Sequence, residues 1–251
     1  MTGKFCFAAA RVAVLAGIAL ALTASPHRTV AWADPPATEK QPETVVPLDR
    51  DVPRHRVINE RAKKGDVSLI FIGDSITAGW EGAGKDVWKK YYEPRKAMNA
   101  GIGGDRTQHV LWRLEHGNID GISPKVAVVM IGTNNFGANG PEDIALGVKA
   151  IIEKLQARLP EMKILLLGVF PRGEKPDDAL RQKNVAVNRL IKEFADGQKV
   201  HYLEINDKLM NADGTQNREI MPDLVHLSAR GYAIWAEAIE PQLVLLLGEK
   251  P

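Results

Sequence analysis

Ser75, Asp223 and His226 supply a hydroxyl, a carboxylate and an imidazole, the three parts of a nucleophilic acyl-transfer triad. Ser75 stands in Phe71-Ile72-Gly73-Asp74-Ser75-Ile76-Thr77, where a short apolar run breaks into Gly-Asp-Ser. Asp223 and His226 stand three residues apart in Met221-Pro222-Asp223-Leu224-Val225-His226-Leu227. In a helical turn that spacing puts both on one face. The carboxylate then fixes the imidazole tautomer and stabilises the imidazolium. Each part also has an ordinary use. Ser75 is equally suited to cap a helix. The Asp223–His226 segment is equally a solvated loop, with Ser228 capping the helix that follows. A metal site is the weaker reading, because no further histidine or acid sits at ligand spacing nearby.

Two more stretches bear on this chemistry. Asn99-Ala100-Gly101-Ile102-Gly103-Gly104-Asp105 puts glycines where backbone N–H groups approach a ligand closely, or where the chain makes only a tight turn. It lacks the Gly-x-Gly-x-x-Gly dinucleotide fingerprint. In Gly132-Thr133-Asn134-Asn135, a side-chain amide is available to a developing oxyanion, or is a plain loop asparagine. His27, His55, His109, His116 and His201 have weaker claims. Trp80 and Trp88 read as packing residues, with Trp80 close enough to Ser75 to line a pocket.

These residues need a frame. Apolar runs at 67–72, 126–131, 164–170 and 200–204, and a weaker one at 96–99, read as strands. Their unbroken Val/Ile/Leu character suits a parallel sheet covered on both faces. Helical spacing appears in 106–116, where Val110, Leu111 and Leu114 make the apolar face and Arg106, His109, Arg113 and His116 the polar one. It recurs in 141–158, in 178–194, and in the stripe Tyr232, Trp235, Ala236 and Ile239, which Pro241 ends or kinks. The βαβαβα order predicts an α/β fold, a three-layer α/β/α doubly wound parallel sheet with right-handed crossovers. Ligands bind such sheets beyond the carboxyl ends of the strands. Ser75, the glycine cluster and Asn134 each follow a strand.

Residues 1–33 read as a signal peptide. Lys4 and Arg11 make a basic start, and Val12 to Ala24 is an uncharged run too short to span a bilayer as a helix. Ala31-Trp32-Ala33 fits the cleavage pattern and makes Asp34 the mature N-terminus. An uncleaved membrane anchor is the alternative. The expected location is outside the cytoplasm, periplasmic or extracellular, with no stable membrane span after signal cleavage. Cys6 is the chain's one cysteine, so the mature protein has no disulfide and no thiolate site. The formal charge is +2, and removing Lys4, Arg11 and Arg28 leaves −1. That balance gives no electrostatic case for nucleic acid as a partner. Residues 34–54, with Pro35, Pro36, Pro42, Pro47 and Pro53, read as an extended, solvated linker. Residues 55–251 then form one domain.

The four motif stretches resemble the four blocks of the SGNH, or GDSL-type, hydrolase superfamily. Those blocks supply serine, glycine, asparagine and histidine, here Ser75, Gly104, Asn134 and His226, with Asp223 as the triad acid. Asn99–Leu114, Val126–Asn135, Gly168–Pro176 and Leu180–Asn184 look much like the catalytic subunits of intracellular platelet-activating-factor acetylhydrolases. The likeness covers about residues 56–245. It implies a flavodoxin-like fold and no metal or organic cofactor. It also implies an oxyanion hole made by the amides of Ser75 and Gly104 and the side chain of Asn134. Gly104 aligns better than its neighbour Gly103. The implied activity is a serine esterase acting on a small acyl-ester substrate, lipid or carbohydrate, with acetyl or similarly short acyl groups preferred. A homodimer stays open. The alternatives are an exported carbohydrate O-acetylesterase, a lysophospholipase-type acylhydrolase, and an inactive secreted binding module. The N-terminal signal departs from the cytosolic members of the group.

Overall fold

The five apolar runs pair as five parallel strands in the order β2-β1-β3-β4-β5. In the computed structural model, which describes residues 41–250, these are β1 (Leu69–Gly73), β2 (Ala97–Gly101), β3 (Val126–Met130), β4 (Lys163–Leu167) and β5 (Val200–Leu203). The expected signal peptide, its cleavage site and the first residues of the expected linker lie outside the described residues. Gly73 pairs with both Gly101 and Met130, so β1, β2 and β3 end level. The chain lays β2 on one side of β1 and β3 on the other. The point where the order reverses, between β1 and β3, is where such a sheet opens a crevice for ligands.

Alternate side chains of each strand enter two separate cores. Ile70, Ile72, Ala127, Val129, Ile164 and Leu166 pack against α1 (Pro53–Ala62), α4 (Thr107–Glu115), α5 (Pro141–Arg158) and α6 (Ala179–Lys192). Leu69, Phe71, Val128, Met130, Leu165 and Leu167 face the other way, toward α7 (Ala229–Leu247). Two short helices, α2 (Ser75–Ala78) and α3 (Lys85–Tyr91), complete the set. With both faces covered, no strand needs a polar side, which explains the uninterrupted apolar runs.

Several details depart from the sequence reading. β2 starts at Ala97, because Lys96 takes a left-handed conformation (φ +49°) that no strand continues through. Pro241 does not end the last helix, which runs on to Leu247 and stops at Gly248 (φ +71°). Residues 41–52 are not a solvated linker. Thr44 is fully buried, its hydroxyl donates to the Asp143 carbonyl at 2.6 Å, and its own carbonyl accepts from the Thr107 hydroxyl at 3.0 Å. Leu48 N donates to the Gln108 carbonyl at 3.1 Å. This strap covers the side of α4 that its sequence marks as polar. Arg113 and His109, on the side of α4 expected to be polar, are buried instead of solvated, Arg113 against Asp105, Asn118 and the carbonyls of Ala100 and Gly73.

Candidate active site

Ser75 opens α2 immediately after β1. Asp74, not Ser75, caps that helix, accepting from Ile76 N at 2.9 Å. The hydroxyl of Ser75 is thereby left for other work. α2 lies tightly on the sheet's edge. A Cβ on Gly73 would come within 2.4 Å of the Met130 carbonyl, and one on Gly101 within 2.3 Å of Ala78 N, so neither position accepts a side chain. From the far end of the chain, Tyr232 on α7 donates its hydroxyl to the Ile76 carbonyl at 2.7 Å.

The Ser75 Oγ and His226 Nε2 atoms stand 2.9 Å apart. The other ring nitrogen, Nδ1, is 2.7 Å from Asp223 Oδ2. With the carboxylate as acceptor, Nδ1 carries the proton and Nε2 is left to accept from Ser75. Asp223 and His226 do not share a helical face as expected. Asp223 Oδ1 accepts from Val225 N at 3.0 Å and His226 N at 2.7 Å, which makes a tight side-chain turn. Leu224 sits in that turn with φ +63°. Burial opposes ionisation of Asp223. Hydrogen bonds from the His226 ring and from the backbone of His226 and Val225 outweigh it and hold the carboxyl down at about 2. Asp223 is thus an anion at neutral pH.

Asn134 lies in a 3-10 turn directly after β3. One N–H of its side chain donates to the Asp105 carbonyl at 2.9 Å, leaving the other. That bond ties Asn134 to the glycine loop after β2. Gly104 has φ +77° and is exposed, as is Gly103. A Cβ on Gly103 would lie 3.9 Å from Ser75 Cβ, whereas one on Gly104 would lie 3.6 Å from Arg50 Nη2. The pair therefore spans from the serine to the strap.

Three groups escaped the sequence reading. Asp105 is sealed from solvent and receives Arg113 Nε and Arg50 Nε, each at 2.7 Å. Arg50 also donates to the Gly103 carbonyl. Arg172, after β4, is half-buried and donates to Thr133 Oγ1 at 3.2 Å. Burial lowers its pKa, against the attraction of Asp74 and Asp223. Asp74 is buried with Oδ2 unpartnered among the described residues, and burial pushes its carboxyl up to about 7. Its burial follows from its place as the cap beneath the nucleophile, but a Gly-Asp-Ser triplet does not advertise a perturbed acid. Trp80 is the packing residue that its sequence reading favoured, fully buried among Phe71, Tyr92, Tyr232 and Trp235, and it does not line a pocket.

Residues 71–234 match the model of the GDSL-like lipase/acylhydrolase family. The chain is 37% identical over 219 residues to the alpha2 subunit of platelet-activating factor acetylhydrolase IB from Rattus norvegicus, covering 87% of this chain and 94% of that one. It is 38% identical over 196 residues to the human alpha1 subunit, covering 78% and 83%. Among solved structures, a putative acylhydrolase from Bacteroides fragilis superposes with TM-score 0.66 at 20% identity, over 79% of this chain and all (100%) of that one. An acetylxylan esterase from Geobacillus stearothermophilus superposes with TM-score 0.56 at 19% identity, over 72% and 94%. These two likenesses are of fold. The matched family segment holds the last three residues of β1, all of β2 to β5 and every residue of the Ser75–His226–Asp223 chain, and on these grounds the protein belongs to the GDSL-like lipase/acylhydrolase family and is an ester-cleaving hydrolase.

Proposed function

We propose that the chain is a serine esterase that removes short acyl groups, acetyl above all, through an acyl-enzyme intermediate. The observation that carries the reading is the continuous line of hydrogen bonds from Ser75 through His226 to Asp223 at 2.9 and 2.7 Å. The names of the relatives, acetylhydrolase subunits at 37–38% identity, support the short acyl group.

Ser75 Oγ attacks the ester carbonyl carbon while its proton passes to His226 Nε2. Asp223 stabilises the imidazolium and keeps the ring in place. The carbonyl oxygen becomes an oxyanion, held by the backbone N–H groups of Ser75 and Gly104 and the remaining N–H of Asn134. The first N–H groups of a helix have no partner inside it, which leaves Ser75 N available for this. As the intermediate collapses, the C–O bond to the alcohol breaks and His226 returns its proton to the leaving oxygen. A water then attacks the acyl-Ser75 ester, again giving its proton to His226; the bond from the acyl carbon to Ser75 Oγ breaks as His226 returns that proton to Oγ, and the carboxylic acid leaves. Catalysis takes place outside the cytoplasm, after export directed by residues 1–33.

The test is a pair of measurements. Ser75→Ala abolishes hydrolysis of an acetyl ester while the circular dichroism spectrum stays that of the folded protein. Across acetyl, butyryl, octanoyl and palmitoyl esters of one alcohol, kcat/KM is highest at the short end. An active Ser75→Ala overturns the mechanism. A rate that climbs to palmitoyl overturns the short-acyl claim and favours a lipid acylhydrolase, because each buried methylene then contributes about 0.8 kcal/mol.

A further inference from the structure

The turn that carries Asp223 and His226 is poorly held by packing. Pro222, Asp223 and His226 are exposed, and Leu224 and Val225 only partly buried. Its bonds are mostly internal, and Leu224 occupies a left-handed conformation that a leucine rarely adopts. Something outside the turn must fix it, since a triad tolerates little displacement.

Gln216 is placed to do so. It is 3% exposed and closes a small hairpin, bridging to Met210 across the turn at Asp213 and Gly214. Its backbone N donates to the Glu174 carbonyl at 2.9 Å. Its side-chain nitrogen donates to the Pro171 carbonyl at 2.7 Å and to the Leu224 carbonyl at 3.2 Å, and lies 3.5 Å from Met221 Sδ. A reversed amide would set Oε1 against two carbonyl oxygens, so the orientation is fixed. Oε1 itself is buried without a partner among the described residues, which leaves the donors as the side chain's only hydrogen-bonding use.

We propose that Gln216 is a positioning residue of the triad: its side-chain amide holds the Leu224 carbonyl, and with it the turn bearing Asp223 and His226, against the end of β4. The amide joins the segment after β4, which carries Arg172, to the segment that carries the base. This rests on the triad reading above, which Ser75→Ala tests independently.

The experiment uses the purified protein with active sites titrated by a fluorophosphonate. Gln216→Met keeps the volume and removes the donors. Gln216→Leu also removes the donors and leaves a branched apolar side chain in their place. In both, kcat per titrated site on an acetyl ester falls about tenfold, the loss of one hydrogen bond's worth of transition-state positioning, while KM changes little. The downfield NMR resonance of the His226 Nδ1–H proton broadens as the turn loosens and exchange with water quickens. A merely structural role lowers the number of titratable sites or the melting temperature, with kcat per site and the resonance unchanged. That result overturns the proposal, as does wild-type behaviour. Where Gln216→Met does not fold, Gln216→Leu decides by the same readouts. An inactive Ser75→Ala beside a wild-type-like Gln216 variant sinks this inference and leaves the triad standing.

Discussion

Asp105 and Arg113 form an ion pair at 2.7 Å with both side chains closed off from solvent. Arg113 also donates to the carbonyls of Ala100 and Gly73, and Asp105 presents its own carbonyl to Asn134. The pair thus braces the glycine loop from beneath while the loop's outer side is held by Arg50.

Removing one partner of such a pair leaves a buried charge uncompensated. Asp105→Ala is expected to cost about 3–5 kcal/mol of stability. Urea unfolding of the purified variant measures it. A loss under about 1 kcal/mol would mean that Arg113 is satisfied by the Ala100 and Gly73 carbonyls and the Asn118 side-chain oxygen alone.

In the proposed mechanism, Asn134→Ala removes a donor that acts on the oxyanion and not on the ground-state ester. The expected result is a kcat lowered by about 100-fold or more with KM nearly unchanged. Steady-state kinetics on one acetyl ester separates the two constants. A change confined to KM would make Asn134 a substrate binder.

Asp74 gives a pH dependence with a definite sign. Burial raises its carboxyl to about 7 in the folded protein, well above the unfolded value of 3.8. The folded state therefore holds a proton that the unfolded state has released, and stability falls as pH rises between those two values. Asp74→Asn keeps a capping side chain without the charge. Its unfolding free energy gains on that of wild type from about pH 4 to about pH 7 and levels off above. A pH-independent difference between the two proteins would show that Asp74 does not titrate in this range.

The mature protein is expected to begin at or near Asp34 and to be recovered outside the cytoplasm. N-terminal sequencing of native material decides this. An intact Met1 in a membrane fraction would instead support a retained anchor.

The strands were legible because β3 and β4 lie wholly between two helical layers. Burial on both faces writes itself into Val126–Met130 as an unbroken apolar run. Ser75 and His226 were legible for another reason: their roles demand particular residue types beside particular neighbours, and those motifs survive 151 residues of separation. What depended on distant chain was not legible. Arg113 sits on the side of α4 that reads as polar, and the ends of β1 and β2 with the glycine loop and Asn118 turn its surroundings into interior. Asp223 and His226 at a spacing of three suggested a helix, but the Asp223 carboxylate bonds to the following N–H groups and makes a turn instead. Gln216 carries no local signal, since what makes it matter is a carbonyl eight residues on and another 45 residues back.

The bond between Tyr232 and the Ile76 carbonyl joins the last helix to the first catalytic turn, across 156 residues. During synthesis the nucleophile emerges early, on a strand that already has its glycines and its cap. Its base comes more than half a chain later, on the segment just ahead of α7. In the proposed mechanism a partly made chain therefore carries Ser75 without its proton acceptor, and hydrolysis waits for the segment just ahead of α7 to fold against the end of β1.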